Sequence, residues 1–279
     1  MVITYINQHR NNTICQTFHE LALETWATLH QGFTVGMTVG EETITDNNLF
    51  TIQSLHPDKV AIVKFAKARE SQIGADWEWW LGNPYDGWIK MRVQAKKITP
   101  KQLAYKGVDH PNGTRQQITN LISKATSDGF IPAYCLYNTN LSPRLPMWGC
   151  AIANADAMLA GLKASGKSGM VNFAKIQGSA FPWEKLVCEK EVKDTFPRRI
   201  QKRFAEIVPG NHKNYIEEAY SRDLPEHLNV MLKPFYTGRS ELIETIGDSV
   251  DVPGLKYIAV ISDQPIFPPR RNNLINKEK

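Results

Sequence analysis

An α/β fold built on a central mixed sheet with helices on its flanks is expected from three features of the sequence. The stretch Gly74–Lys97 alternates with a period of two on both sides of a turn, which reads as two adjacent strands. Capped segments with apolar residues at helical spacing stand before and after it. Helical and extended segments interleave along the first half of the chain, which favours layers of helix on sheet.

Of the two strands, the first sets Asp76, Glu78 and Trp80 against Trp77, Trp79 and Leu81. Asn83-Pro84-Tyr85-Asp86-Gly87 supplies the turn. The second sets Lys90, Arg92, Gln94 and Lys96 against Ile89, Met91, Val93 and Ala95. One face is apolar and the other carries polar and charged groups, so in a hairpin an acid on the first strand approaches a lysine on the second. The simplest alternative is a solvated hairpin face with aromatic neighbours. Trp77, Trp79, Trp80 and Trp88 crowd this region; two or three are expected to pack under helices, with stacking of one on a base or sugar as the lesser alternative.

In chain order, Asn12–Leu29 is the first expected helix. Thr13 and Gln16 have capping-box spacing, and Ile14, Phe18, Leu21, Ala22 and Leu29 form its stripe. A glycine-rich link, 32–40, leads through Glu41 and Glu42 to a shorter helix ending near Leu55, with Thr45 as its expected N-cap. Lys59–Phe65 reads as a strand, and Glu70 falls in a connector. Residues 101–113 read as a loop. Thr114–Ala125 is a helix with a Thr114/Gln117 capping box, followed by the strand Ile131–Tyr137. Beyond Thr139 the pattern weakens. Asn154–Leu162, Phe196–Ile207 and Asn214–Tyr220 read as helices, Leu255–Ser262 as a last strand, and the residues from Pro265 onward as a frayed tail. The expected organisation is a core over 1–140 and an α/β extension over 141–279 that completes or elaborates the same domain.

Composition sets the outer limits. With 279 residues and 42% hydrophobic content the chain is globular. No apolar run reaches membrane-spanning length and no secretory signal opens the sequence, so a cytoplasmic protein is expected. Cys15, Cys135, Cys150 and Cys188 lack metal-type spacing and are expected to be free buried thiols. The net charge of +5 permits a polyanionic partner. An acid-free basic run, Lys90, Arg92, Lys96, Lys97, Lys101 and Lys106, lies beside the hairpin and suits phosphate contacts, with ordinary surface lysine as the alternative. A second basic group stands at Arg198, Arg199, Lys202 and Arg203.

The chemistry that these groups suit is hydrolysis of a phosphodiester. Asp76 offers a carboxylate, Gln94 a side-chain carbonyl and Ala95 a backbone carbonyl, a hard oxygen set that suits Mg²⁺. Lys96 stands nearby to orient water or neutralise charge. Glu41 or Glu42 adds a further acid from the helix ahead of the sheet; Glu70 and Glu78 are reserves.

The order of a helix acid, Asp76, Gln94-Ala95-Lys96, a helix and a strand resembles the PD-(D/E)xK nuclease superfamily, in its branch with glutamine for the last acid, as in Mrr-type restriction endonucleases. GADWEWW and VQAK are also similar to an uncharacterised bacterial domain family found near phage-defence genes. The likeness covers Glu41–Asn138 and departs from the pattern at Ala75, where a proline is usual. It implies a restriction-endonuclease-like core. It further implies Asp76 and Gln94 as metal ligands with Glu41 or Glu42, Lys96 as the catalytic lysine, and Gln116 or Gln117 approaching from the following helix. The expectation is a Mg²⁺-dependent DNA endonuclease, Mn²⁺ substituting, acting on double-stranded DNA in defence against phage, as a homodimer or with a defence-system partner. The alternative is an inactive nucleic-acid-binding module or a structural component of a defence complex.

Overall fold

The computed structural model describes residues 8–65, 74–112, 115–139, 148–166, 169–188, 193–208, 214–237 and 254–268. Helix α1 spans Ile14–Thr34, and both halves of the Thr13/Gln16 capping box are formed. Helix α2 spans Glu41–Leu55 with Gly40 as its N-cap. Thr45 is therefore not the cap but lies one turn inside, its hydroxyl donating to the Glu41 carbonyl at 3.0 Å. Strands β1 (Val60–Lys64), β2 (Trp77–Asn83) and β3 (Gly87–Thr99) follow. Within the stretch expected to be loop, Ala104–Tyr105 pairs with the end of β3.

Helix α3 covers Gln117–Ser127 and has Gln116 as an N-cap without a side-chain bond. Thr114, the cap expected from the sequence, lies outside the described residues. Strands β4 (Ile131–Tyr137) and β5 (Cys150–Asn154) come next. Helix α4 (Ala155–Ala164) is capped by the Asn154 side chain, which accepts from the Asp156 and Ala157 amides. The remaining main elements are β6 (Ala180–Pro182), α5 (Phe196–Ile207), α6 (Glu226–Thr237) and β7 (Tyr257–Ile261). Part of the expected tail is docked: the Ile266 and Phe267 amides donate to the Asp58 carbonyl at 2.8 and 2.9 Å.

The main path of the sheet runs β1-β7-β2-β3-β4-β5-β6. It is mixed: β7 is parallel to β2, β3 is parallel to β4, and the other neighbours are antiparallel. Strand β7 comes from the end of the chain yet fills the slot between β1 and β2. The last strand thus completes the sheet of the first half rather than starting a new one. In the hairpin Trp77 faces Val93 and Trp79 faces Met91, a register that carries Asp76 to a place opposite Gln94.

Helices cover both faces of the sheet. Phe18 and Leu21 of α1, Leu49 and Ile52 of α2, and Ile200 and Phe204 of α5 pack on the side of Trp77, Trp79, Met91 and Val93. Leu121 of α3, Met158 of α4 and Leu228 of α6 pack on the side of Trp80, Tyr134, Leu136 and Val260. The polar face of the hairpin is consequently interior, not solvated. Trp77, Trp79, Trp80 and Trp88 are all buried, and none is free to stack on a base. The expectation of free thiols fails in part. Cys15 and Cys188 form a disulfide across a separation of 173 residues, while Cys135 and Cys150 are free and buried. Among the described residues no helix is long and apolar enough to cross a membrane.

Candidate functional site

The site begins with a close approach. Gly74 adopts a φ of +73°, and a Cβ there would meet the Gln117 carbonyl at 2.4 Å and the Leu121 amide at 2.8 Å. Glycine thus lets the chain pass against the first turn of α3 just before β2 begins. Asp76 and Gln117 are brought to the same place from opposite sides.

Asp76 lies directly across the hairpin from Gln94. Its Oδ2 accepts from the Gln94 Nε2 at 2.5 Å and from the Ala95 amide at 2.9 Å. Gln94 is 3% exposed. Its Oε1 accepts from the Gln117 Nε2 at 2.9 Å. Gln117 is therefore the glutamine that α3 contributes; Gln116 is exposed and its side chain does not cap the helix.

Glu41 and Glu42 separate sharply, although both occupy the first turn of α2. Glu41 turns toward the sheet, and its Oε2 accepts from the Lys97 amide at 2.7 Å. Burial raises its carboxyl above the usual range, the Lys96 ammonium opposes that and the Asp76 carboxylate adds to it. Glu42 points to the rim, with its side chain 74% exposed. Lys96 is half-buried. Its ammonium acts on Glu41 through its charge and makes no hydrogen bond or ion pair among the described residues.

Lys256, immediately before β7, is the group that no sequence signal marked. Its amide donates to the Asp76 carbonyl at 2.7 Å, and its Nζ lies 3.4 Å from Asp76 Oδ1 and pairs with Glu42. Burial would lower the pKa of this ammonium, but Asp76 and Glu42 outweigh it and hold the pKa above its ordinary value. Glu41, Glu42, Thr45, Asp76, Ala95, Lys256 and Tyr257 line a cleft of about 20 Å³, room for one water or one ion. Beside it, the Tyr134 hydroxyl, next to Gln94 in register, is buried and has no hydrogen-bond partner among the described residues.

Several expected roles do not survive the geometry. Glu78 is buried and ion-paired to Arg92 at 2.9 Å, so it is not a spare metal ligand. Arg92 also reaches Asp128 at 2.5 Å and the Lys124 carbonyl at 3.1 Å, which ties β3 to α3 and removes it from any phosphate. Lys90 donates to the Asp128 carbonyl at 3.1 Å and lies 4.7 Å over the Phe130 ring. Lys97 donates to the Val39 carbonyl. Of the expected basic run, Lys101 and Lys106 are exposed. In the second basic group Arg198 pairs with Glu217, Lys202 with Asp194 and Arg203 with Glu206. Glu70 lies outside the described residues.

As a ligand set the cleft offers two carboxylates, Glu41 and Asp76, with the Gln94 amide and the Ala95 carbonyl beside them. Among the described residues there is no group of three His, Cys, Asp or Glu arranged to hold a metal ion. Two carboxylates and neutral oxygens nevertheless fit Mg²⁺, which takes few protein ligands and keeps several waters.

This α/β chain matches the model of a family of unknown function, DUF6615, over residues 14–264, and it belongs to that family. No curated protein and no solved structure matches it.

Proposed function

We propose that the chain is a Mg²⁺-dependent nuclease that hydrolyses DNA phosphodiester bonds at the cleft between Glu41, Asp76, Gln94 and Lys96. What supports this most is the convergence on Asp76. Its carboxylate meets Gln94 across the hairpin, a half-buried acid from α2 flanks it, and a half-buried lysine whose ammonium has no bonded partner among the described residues stands two residues beyond Gln94.

Mg²⁺, when bound, would lower the pKa of a bound water and offset charge on the phosphoryl oxygens. The residues of the chain supply the rest. Asp76 and Glu41 hold the ion. Gln94 turns its amide by half a rotation to present Oε1, and Gln117, turning with it, accepts from Gln94 Nε2, so their mutual hydrogen bond is kept. Lys96 steadies charge that develops at the phosphate. Lys101 and Lys106 remain available for backbone contacts. Action in defence against phage, on double-stranded DNA and as a homodimer or with a defence-system partner, belongs to the same proposal and rests on the resemblance.

The competing proposal is a binding module that does not cut. One observation favours it: Gln94 leaves the cleft with one fewer formal charge to hold an ion. Plasmid nicking in Mg²⁺ separates the two. The nuclease reading expects cleavage by the wild type and a loss of about 100-fold or more for Asp76→Ala and Lys96→Ala. Equal cleavage by all three sinks the site, and salt-sensitive DNA retention without any cleavage supports the module.

A further inference from the structure

We propose that Lys256 is a resident counter-ion of the cleft, whose ammonium occupies the side of Asp76 that a divalent cation needs, so that cation loading and the Lys256–Asp76 ion pair exclude one another. The inference rests on the cleft being a cation site.

The two carboxylate oxygens of Asp76 are not equivalent. Oδ2 accepts from the Ala95 amide, a bond that stays when Gln94 turns, and before that turn also from the Gln94 side chain. Oδ1 is the oxygen left to ligate, and Lys256 Nζ stands 3.4 Å from it. Lys256 also lines the same cleft, whose volume of about 20 Å³ holds one small occupant. An ammonium and a divalent ion at that oxygen would repel at short range in a partly desolvated place.

The lysine is fixed where it is by the sheet, not by chance of surface packing. Its amide bonds to the Asp76 carbonyl and its carbonyl accepts from the Phe65 amide at 2.9 Å. The backbone therefore cannot withdraw, but the side chain, 34% exposed, can. Glu42, on the rim, already pairs with it and gives it a place to go. Released to Glu42, the ammonium leaves Asp76 Oδ1 to the ion. Glu42, expected from the sequence to be a catalytic and metal-binding acid, becomes a positioning residue that acts through Lys256.

The test is Mn²⁺ binding to the full chain, read as loss of the free-Mn²⁺ electron paramagnetic resonance signal, with folding of each variant checked by circular dichroism. Lys256→Met and Lys256→Gln are expected to bind at least about tenfold more tightly than the wild type. Lys256→Arg, which keeps the charge, is expected to stay within about twofold of it. Asp76→Asn is expected to abolish binding. Glu42→Gln is expected to weaken binding in the wild type and to change it less in the Lys256→Met background. Asp76-dependent binding that Lys256→Met and Lys256→Gln leave unchanged or weaken overturns the counter-ion and spares the cleft. Absence of Asp76-dependent binding in every variant overturns both.

Discussion

Gln117, the first residue of α3, donates its side-chain amide to Gln94 of β3 at 2.9 Å, and Gln94 donates in turn to Asp76 at 2.5 Å. The relay joins a helix on one face of the sheet to a carboxylate at the edge of the hairpin. Gln117→Ala would leave the Gln94 Oε1 buried and unpaired, which costs about 1–3 kcal/mol. A lower denaturant midpoint is expected, with Mn²⁺ affinity falling further than the loss of stability explains. Unchanged Mn²⁺ binding in a folded variant would show that Gln117 only packs.

Arg92 and Glu78 form a buried pair with side chains 11% and 6% exposed. Removing Arg92 strands the buried Glu78 carboxylate, a cost of about 3–5 kcal/mol for a pair of this kind, whereas removing Glu78 leaves Arg92 its bonds to Asp128 and the Lys124 carbonyl and costs less. Arg92→Leu is expected to lower thermal stability strongly and Glu78→Leu to lower it less. Lys101→Ala and Lys106→Ala, at exposed positions, are expected to weaken DNA retention at low salt and to leave the melting temperature alone. Filter binding and calorimetric melting on the same four variants check both halves.

His56 is 6% exposed, bonded at Nε2 to the Thr17 hydroxyl at 2.8 Å, and burial depresses its pKa to about 4. The unfolded imidazole takes up its proton near 6.5, so between the two values the unfolded state binds more protons. Stability should therefore fall as the pH is lowered from 6.5 toward 4, by roughly 3 kcal/mol across the window. His56→Gln should flatten that slope. Urea titrations at several pH values measure it, and an equal slope in the variant would assign the acid sensitivity elsewhere.

The Cys15–Cys188 bridge ties the start of α1 to a segment 173 residues later. Long closures of this kind stabilise by about 2–5 kcal/mol. Cys15→Ser should lower the unfolding midpoint accordingly. In the native wild type, Cys135 and Cys150 should resist alkylation because they are buried, and two further thiols should label only after reduction. Mass spectrometry of alkylated protein counts them. Four reactive thiols without reductant would exclude the bridge.

The facing of Asp76 and Gln94 was legible in the sequence. Period-two alternation fixes which residues share a face, and the turn at 84–86, closed by the Asn83–Gly87 pair, sets the register that makes them partners. The α1 capping box and the Phe196–Ile207 helix were legible for the same local reason. What covers each face was not. Alternation separated Arg92 and Glu78 from Met91 and Trp79, but only the docking of α3 buried that polar face and turned an expected phosphate contact into an internal ion pair.

Adjacent acids at a helix start are alike in sequence, yet about 100° of helical rotation sends Glu41 to the sheet and Glu42 to the rim. Lys256 shows the limit most clearly. Local pattern marked the last strand but carried no trace of the slot it would fill. Its ammonium reaches Asp76 only because β7 fills the slot between β1 and β2 and runs parallel to β2, a pairing between segments about 180 residues apart. Short-range sterics and periodicity determined the elements and the faces of the hairpin. The cleft itself was decided by long-range pairing, because a charge gains a partner only when the folded sheet puts one there.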